Sequence, residues 1–154
     1  MPAITLTTAI LAPIDRCFDL ARSIDRHVES MGATNERAVA GVTSGLIGLG
    51  QEVTWEARHF GVRWHLTSRI TAYERPRYFQ DTMITGPFAT FVHEHHFVAE
   101  QGGTTMRDNI EFRSPLGALG GLVDRVILRS YLRKLLARRN VVLKRLAESP
   151  TAGS

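Results

Sequence analysis

The sequence predicts an α+β fold in which a curved antiparallel sheet of about seven strands surrounds a long C-terminal helix. From about residue 35 to residue 115, apolar and polar residues alternate with a period of two, which is typical of strands with one buried and one solvated face. From about residue 118 to residue 148, apolar residues recur at helical spacing. Two shorter helical patterns follow the first strand, and this segregation of helices from strands indicates the α+β class.

The N-terminal region predicts one strand followed by two short helices. Residues 3–11 alternate and predict the first strand. Pro13 suits the first turn of a helix that continues to about Arg22, because proline lacks the N–H that the first turn leaves unused. Ser23 is a good N-cap for a second helix that ends near Met31.

The remaining strands are predicted to form a meander of antiparallel neighbours. Phe60-Gly61 is a candidate tight turn between two of them, and Gly, Pro and Ser residues separate the others. Single short turns connect most of these strands, so chain neighbours are expected to be sheet neighbours. The predicted strands cover residues 35–42, 52–59, 62–71, 78–85, 88–99 and 104–113.

The C-terminal helix, about residues 118–148, carries an apolar stripe that changes face near residues 127–130. This change predicts one of two arrangements. Either the helix kinks there, or its first part, Leu119 to Ile127, packs against something other than the sheet. The glycine-rich loop Gly45–Gly50 and a second subunit are the two candidate packing partners of this first part. The loop itself is expected to be a flexible segment at the edge of a cavity. Its apolar residues are expected to be exposed; they are Leu46, Ile47 and Leu49.

Length and composition fit a single domain over residues 1–148 with a flexible tail at 149–154. The net charge of +4 comes largely from residues after Asp124. We interpret these residues as the solvated face of a helix, since no zinc-finger spacing or aromatic RNA-binding motif accompanies them, and nucleic acid is not an expected partner. No apolar run approaches the roughly 18 residues of a membrane span. The single cysteine, Cys17, excludes an internal disulfide and favours a cytoplasmic location.

Polar residues on the buried side of strands are the informative feature of the sequence. Asp81 shares a face with apolar neighbours on one strand, His93 and His95 do so on the next, and Asp108 on the last. Arg139 falls on the apolar stripe of the C-terminal helix. Because facing side chains on adjacent strands lie within about 5 Å, we expect these five residues to converge. Groups of this kind are costly to bury unpaired, so they must pair with one another, with water or with a ligand.

Three interpretations of this convergence remain open. The first is an internal ion-pair network within an apolar core. The second is a cavity whose polar groups orient a mostly apolar ligand. The third is a metal site formed by His93, His95 and a carboxylate; only the His-x-His spacing supports it, so we assign no metal and expect no cofactor. A cavity would also have apolar walls, predicted as Trp55, Trp64, Phe79, Met83, Phe91, Phe97, Met106 and Leu136.

Five stretches carry a resemblance to a known superfamily. They are ILAPIDRCFDLARSIDRH at 10–27, VTWEARHFGVRWHLTSRI at 53–70, FVHEHHF with GGTTMRDNIEF at 91–97 and 102–112, and SPLGALGGLVDRVILRSYLRKLLARRNVVLKRL at 114–146. With the predicted order of elements, the chain resembles the START-like, helix-grip proteins of the SRPBCC superfamily, which includes polyketide cyclases/dehydrases. The resemblance implies a cavity between the sheet and residues about 128–146, entered near the Gly45–Gly50 loop. It implies no shared catalytic motif.

The leading functional expectation is therefore binding of a small hydrophobic or aromatic molecule that is lipid-, quinone- or polyketide-like. One alternative is a polyketide cyclase/dehydratase-type enzyme, in which His93 or His95 acts as acid–base catalyst and Asp108 orients it. Another is a protein-interaction module, a possible homodimer, that uses the early part of the last helix and the glycine-rich loop as its face. The sequence does not choose among ligands.

Overall fold

The computed structural model describes residues 3–115 and 127–150. Within these residues the chain forms seven strands and three α-helices. The strands are β1 (Ala3–Ile10), β2 (Arg37–Gly41), β3 (Glu52–His59), β4 (Val62–Glu74), β5 (Tyr78–Thr85), β6 (Thr90–Glu100) and β7 (Gly103–Arg113). The helices are α1 (Ile14–Ala21), α2 (Ile24–Ser30) and α3 (Arg129–Glu148), and a 3₁₀ turn, Gly32–Thr34, follows α2.

All seven strands belong to one antiparallel sheet with the order β1-β7-β6-β5-β4-β3-β2. The strand that begins the chain therefore pairs with the strand that ends the meander. Phe60 and Gly61 have φ angles of 53° and 74°, which is the left-handed conformation that a tight hairpin turn requires. The sheet order, the two short helices after β1 and the long C-terminal helix confirm the predicted α+β fold class.

Helix α3 packs against the sheet and against α1 through its apolar face. Leu143 joins a buried cluster with Phe18 of α1 and Phe97 of β6, and Leu136 joins a second cluster with Phe112 of β7. These contacts follow from the helical spacing of the leucines, since residues three, four and seven apart share a face.

The C-terminal end of α3 is held by α1. The guanidinium of Arg16 donates to the carbonyl oxygens of Leu146, Ala147 and Ser149 at 3.1, 2.8 and 2.9 Å. A cation at this position satisfies carbonyls that the helix itself leaves unpaired. The predicted tail thus begins at a residue in contact with α1, and residues 151–154 lie outside the described part of the chain.

The glycine-rich loop Gly45–Gly50 differs from its prediction in one respect. Leu46 and Leu49 are exposed, but Ile47 is only 4% exposed. The reason is that the loop is tied to the junction of α1 and α2: Ile24 N–H donates to the Gly45 carbonyl at 2.9 Å, and Ile47 N–H donates to the Arg22 carbonyl at 3.2 Å. This pairing turns the Ile47 side chain inward.

The beginning of the predicted C-terminal helix lies partly outside the described residues. Ile127 and Leu128 form a π-helical turn that leads into α3, and Ile127 is exposed. The apolar residues before Ile127, on which the predicted dimer face depends, are not described. The face therefore stays a prediction.

Candidate ligand-binding cavity

A cavity of about 370 Å³ lies between the concave face of the sheet and α3. This volume is in the range of pockets that take drug-sized molecules, roughly 300–1,000 Å³. Its walls come from strands β3 to β7, from α3, from the α1–α2 junction and from Ile47 of the glycine-rich loop. The larger apolar side chains that line it include Ile47, Trp55, Trp64, Leu66, Phe79, Phe88, Phe91, Leu132, Leu135 and Leu136.

Asp108 forms the buried centre of a polar cluster beside the cavity. Its side chain is fully buried, and its two carboxylate oxygens accept three hydrogen bonds. The donors are His93 Nε2 at 2.8 Å, Asn140 Nδ2 at 2.9 Å and Arg139 Nη1 at 3.2 Å. Burial raises the pKa of Asp108, but the hydrogen bond of His93, the nearby imidazole of His95 and the charge of Arg139 outweigh it, so the pKa lies well below its usual value.

Strand register explains why these residues meet. Asp108 pairs across β6–β7 with His95, and Asp81 pairs across β5–β6 with His93. All four side chains therefore point to the concave face, and each lies directly or diagonally opposite another across neighbouring strands, close enough for contact. Each histidine bonds the diagonal carboxylate: His93 bonds Asp108, and His95 bonds Asp81 at 2.8 Å.

The two imidazoles form a stack with an aromatic ring. The centroids of His93 and His95 are 3.8 Å apart, and that of Phe79 is 4.0 Å from His95. Burial and the neighbouring His95 lower the pKa of His93 to about 4, against the opposing effect of its bond to Asp108. His93 is therefore neutral near pH 7, with Nε2 as the protonated nitrogen and Nδ1 unprotonated.

Within this cluster, Asp81 is the carboxylate that is exposed to the cavity. Its side chain is 25% exposed and lines the cavity, whereas Asp108 does not. It accepts from His95 Nε2 at 2.8 Å and from Ser68 Oγ at 3.3 Å. Burial raises the pKa of Asp81, but the hydrogen bond of His95, the nearby imidazole of His93 and the charge of Arg139 outweigh it and lower the pKa to about 2. Asp81 is therefore ionised near pH 7.

A second polar contact joins the β3–β4 turn to the beginning of α3. His59 Nδ1 and the Tyr131 hydroxyl are 2.7 Å apart, and the ring of Phe60 lies 4.6 Å from that of Tyr131. Burial lowers the pKa of His59 and raises that of Tyr131, so both groups are neutral near pH 7. All three side chains line the cavity.

The structure places most of the predicted site residues on the cavity wall. They are Trp55, Trp64, Phe79, Asp81, Phe91, His93, His95, Leu136 and Arg139. Four others lie outside the lining. Phe97 and Met106 belong to the buried core, Asp108 lies behind His93, and Met83 is half-buried. Ligand contact stays a prediction for every one of these residues.

Several lining or supporting residues were not among the predicted site residues. Ser68 lies on the inward phase of β4, so strand alternation alone could have identified it. His59 and Tyr131 also lie on inward phases, but no sequence pattern pairs a strand end with a helix that begins about 70 residues later. Asn140 follows Arg139 directly, and adjacent helical residues do not usually share a partner.

Asp81, His93 and His95 also bring potential metal-ligating atoms within 4.8 Å of one another. A histidine and carboxylate set of this kind can chelate zinc. Here, however, His95 Nε2 and His93 Nε2 each form a hydrogen bond to a carboxylate, so a metal that used these nitrogens would have to displace those protons. The contacts fit a hydrogen-bonded cluster.

Comparison with known proteins supports the predicted superfamily. The family model described as polyketide cyclase / dehydrase and lipid transport matches residues 1–148. No curated protein matches the chain. Of the described helices, none combines the length and apolar character needed to cross a bilayer.

Solved structures share the fold at low sequence identity. A protein of Chromobacterium violaceum superposes with a TM-score of 0.74 at 12% identity, over 96% of this chain and 97% of that one. A START superfamily protein of Mycobacterium smegmatis gives 0.71 at 11% identity, over 95% and 97%. The major latex-like protein 151 of Panax ginseng gives 0.71 at 15% identity, over 96% and 98%. These likenesses establish the START-like helix-grip fold.

Proposed function

The chain belongs to the polyketide cyclase / dehydrase and lipid transport family, and from this premise we propose that it binds a small hydrophobic or aromatic molecule in its cavity. The observation that carries the proposal is a mostly apolar cavity of about 370 Å³ with an ionised carboxylate, Asp81, on its wall. Ligand sites typically combine apolar walls with a few placed polar groups. Lipid-, quinone- and polyketide-like molecules are the candidate classes.

The paired state of the polar cluster supports binding without a large rearrangement. Asp108 is held by three donors, so it keeps His93, Arg139 and Asn140 in position before a ligand arrives. Preorganised groups of this kind reduce the ordering cost of association. The apolar walls supply the driving force, about 25 cal/mol for each Å² of apolar surface removed from water.

A cavity-filling variant tests the proposal. Ala57 of β3 lines the cavity, and the next residue, Arg58, is exposed on the other face of the sheet. We expect the wild-type protein to bind the neutral fluorescent probe N-phenyl-1-naphthylamine saturably at one site. Ala57→Phe should weaken that binding at least about tenfold, or roughly 1.4 kcal/mol, because the new ring occupies ligand volume. Arg58→Phe is the matched control and should bind as the wild type does.

Two results would count against ligand binding in the cavity. One is the absence of saturable binding of the naphthylamine and of a panel of quinones and aromatic polyketides. The other is equal affinity in the Ala57→Phe and Arg58→Phe proteins, since this would place the probe on another surface.

A second candidate function is acid–base catalysis, and the geometry of His93 favours it. His93 is neutral near pH 7, its Nε2 bonds Asp108 at 2.8 Å, and its ring lines the cavity. Asp108 thereby fixes one nitrogen as the donor and leaves Nδ1 with a free lone pair, the arrangement of an oriented general base. Such a base could take the proton from the carbon next to a carbonyl group and pass it to the β-hydroxyl group, which leaves as water as the carbon–carbon double bond forms.

A dehydration assay tests this second candidate. A naphthyl β-hydroxy ketone is the probe, and the enone formed by loss of water is followed by its ultraviolet absorbance. We expect His93→Gln to reduce the rate by about 10²–10⁴, the usual contribution of a general base, with little change in probe affinity. Equal rates in the wild-type and His93→Gln proteins would contradict a catalytic role for His93.

A further inference from the structure

The charges around the cavity limit the kind of polar group that a ligand can carry. The described lining includes two arginines, and each already has an acidic partner: Arg22 bonds Asp19 at 2.9 Å, and Arg139 bonds Asp108 at 3.2 Å. The lining also includes two carboxylates: Glu36 bonds His27 at 2.6 Å, whereas among the described residues no arginine or lysine bonds Asp81, whose partners are a histidine and a hydroxyl. The inner end of the cavity, defined here by Asp81, His93, His95 and Arg139 with Asp108 behind them, therefore contains two carboxylates and one arginine.

Asp81 also retains unused acceptor capacity. An ionised carboxylate offers about four lone-pair positions and no donor. Asp81 uses two of them, one for His95 and one for a long 3.3 Å bond from Ser68. Its side chain is 25% exposed, and because it lines the cavity between sheet and helix, that free surface faces the space a ligand would fill. A ligand group in contact with it must donate a hydrogen bond.

His95 does not change this conclusion. Its Nε2 already donates to Asp81 at 2.8 Å, and its Nδ1 lies 3.4 Å from Asp108, on the side away from Asp81. His95 therefore leaves the free acceptor positions of Asp81 open, and the polar group that Asp81 offers to a ligand is an acceptor.

We propose that the cavity selects apolar ligands that end in a hydrogen-bond donor, an amine or a hydroxyl group, and discriminates against carboxylates. This inference rests on the proposed ligand-binding function and narrows its ligand class. A carboxylate beside Asp81 would meet a like charge where water is scarce, whereas an ammonium or hydroxyl group would donate to it. Even at an effective dielectric constant of about 20, the interaction of two unit charges in contact is enough for tenfold discrimination.

Three probes with the same alkyl chain test the proposal: decylamine, which is protonated at pH 7, 1-decanol, and decanoate. Isothermal titration of the wild-type protein, with EDTA present and below micelle-forming concentrations, should show binding of the amine and the alcohol. Decanoate should bind at least about tenfold more weakly. The protein's net charge of +4 favours decanoate at the surface, so non-specific attraction cannot produce this order.

Two variants test whether Asp81 causes the preference for decylamine over decanoate. Asp81→Asn should reduce the ratio of decylamine to decanoate affinity by about tenfold or more, because the amide removes the charge but keeps the shape. Glu94→Gln is the matched control, since Glu94 lies on β6 opposite Gln80, the residue next to Asp81, and its side chain is on the outer face of the sheet. It should leave the ratio unchanged.

The outcomes separate the inference from the function on which it rests. Equal or tighter binding of decanoate to the wild-type protein overturns the selectivity and leaves ligand binding intact; this comparison needs no variant. An unchanged ratio in Asp81→Asn also overturns it. Failure of all three probes to bind the wild-type protein overturns both the proposed function and the inference.

Discussion

Replacing Asp108 by asparagine tests the buried cluster on which the shape of the cavity depends. Asp108 is fully buried, and Arg139 is 3% exposed, so the guanidinium would lose the acidic partner that the described residues give it without gaining access to water. The amide also brings a donor toward Asn140 Nδ2, which is itself a donor. Asn140 cannot rotate to accept from it without losing its own bond from Arg139. Leaving a buried charge unpaired typically costs about 3–5 kcal/mol.

We therefore expect Asp108→Asn to lower the free energy of unfolding by about 3–5 kcal/mol at pH 7. Urea titration followed by circular dichroism measures it, with equal m-values for wild type and variant as the test of a common two-state transition. Glu111→Gln, on the exposed side of the same strand, is the control and should change stability by no more than about 0.5 kcal/mol. A loss below about 1 kcal/mol in Asp108→Asn would refute the assigned pairing.

Three further predictions follow from the same contacts. His93 should titrate with a pKa near 4 in NMR spectra of the imidazole nitrogens, and a pKa near 6.5 would contradict its burial beside His95. The free energy of unfolding should decrease as the pH is lowered, first below about 6.5, because His93 binds a proton in the unfolded state that it does not bind in the folded state. It should decrease again below about 4, because Asp81 and Asp108 have lowered pKa values in the folded state. Urea midpoints that stay constant from pH 7 to pH 3 would contradict this. Arg16→Met should cost about 1–3 kcal/mol by releasing the end of α3, measured by thermal unfolding, and an unchanged midpoint would show that the three carbonyls are satisfied by water.

The fold was predictable because its determinants are local and periodic. Alternation placed Asp81, His93, His95 and Asp108 on inward phases, and short turns made their strands neighbours, so their convergence required no knowledge of distant contacts. Helical spacing likewise placed Arg139 on the inward stripe of α3.

What the sequence could not supply was the detail of each contact. Which carboxylate each histidine bonds depends on strand twist and diagonal distance. The inward turn of Ile47 depends on backbone bonds to α1 and α2, which no residue pattern in the loop signals. The bond between His59 and Tyr131 joins two elements far apart in sequence, and only the curvature of the sheet brings them together.

Ligand binding in the cavity is tested most directly by a crystal structure of the wild-type protein grown with N-phenyl-1-naphthylamine. If the cavity binds apolar ligands, electron density for the rings of the probe should lie between the sheet and α3, in contact with Trp55 and Leu136. Density for the probe on the outer face of the sheet, with protein side chains filling the space next to Asp81, would contradict it.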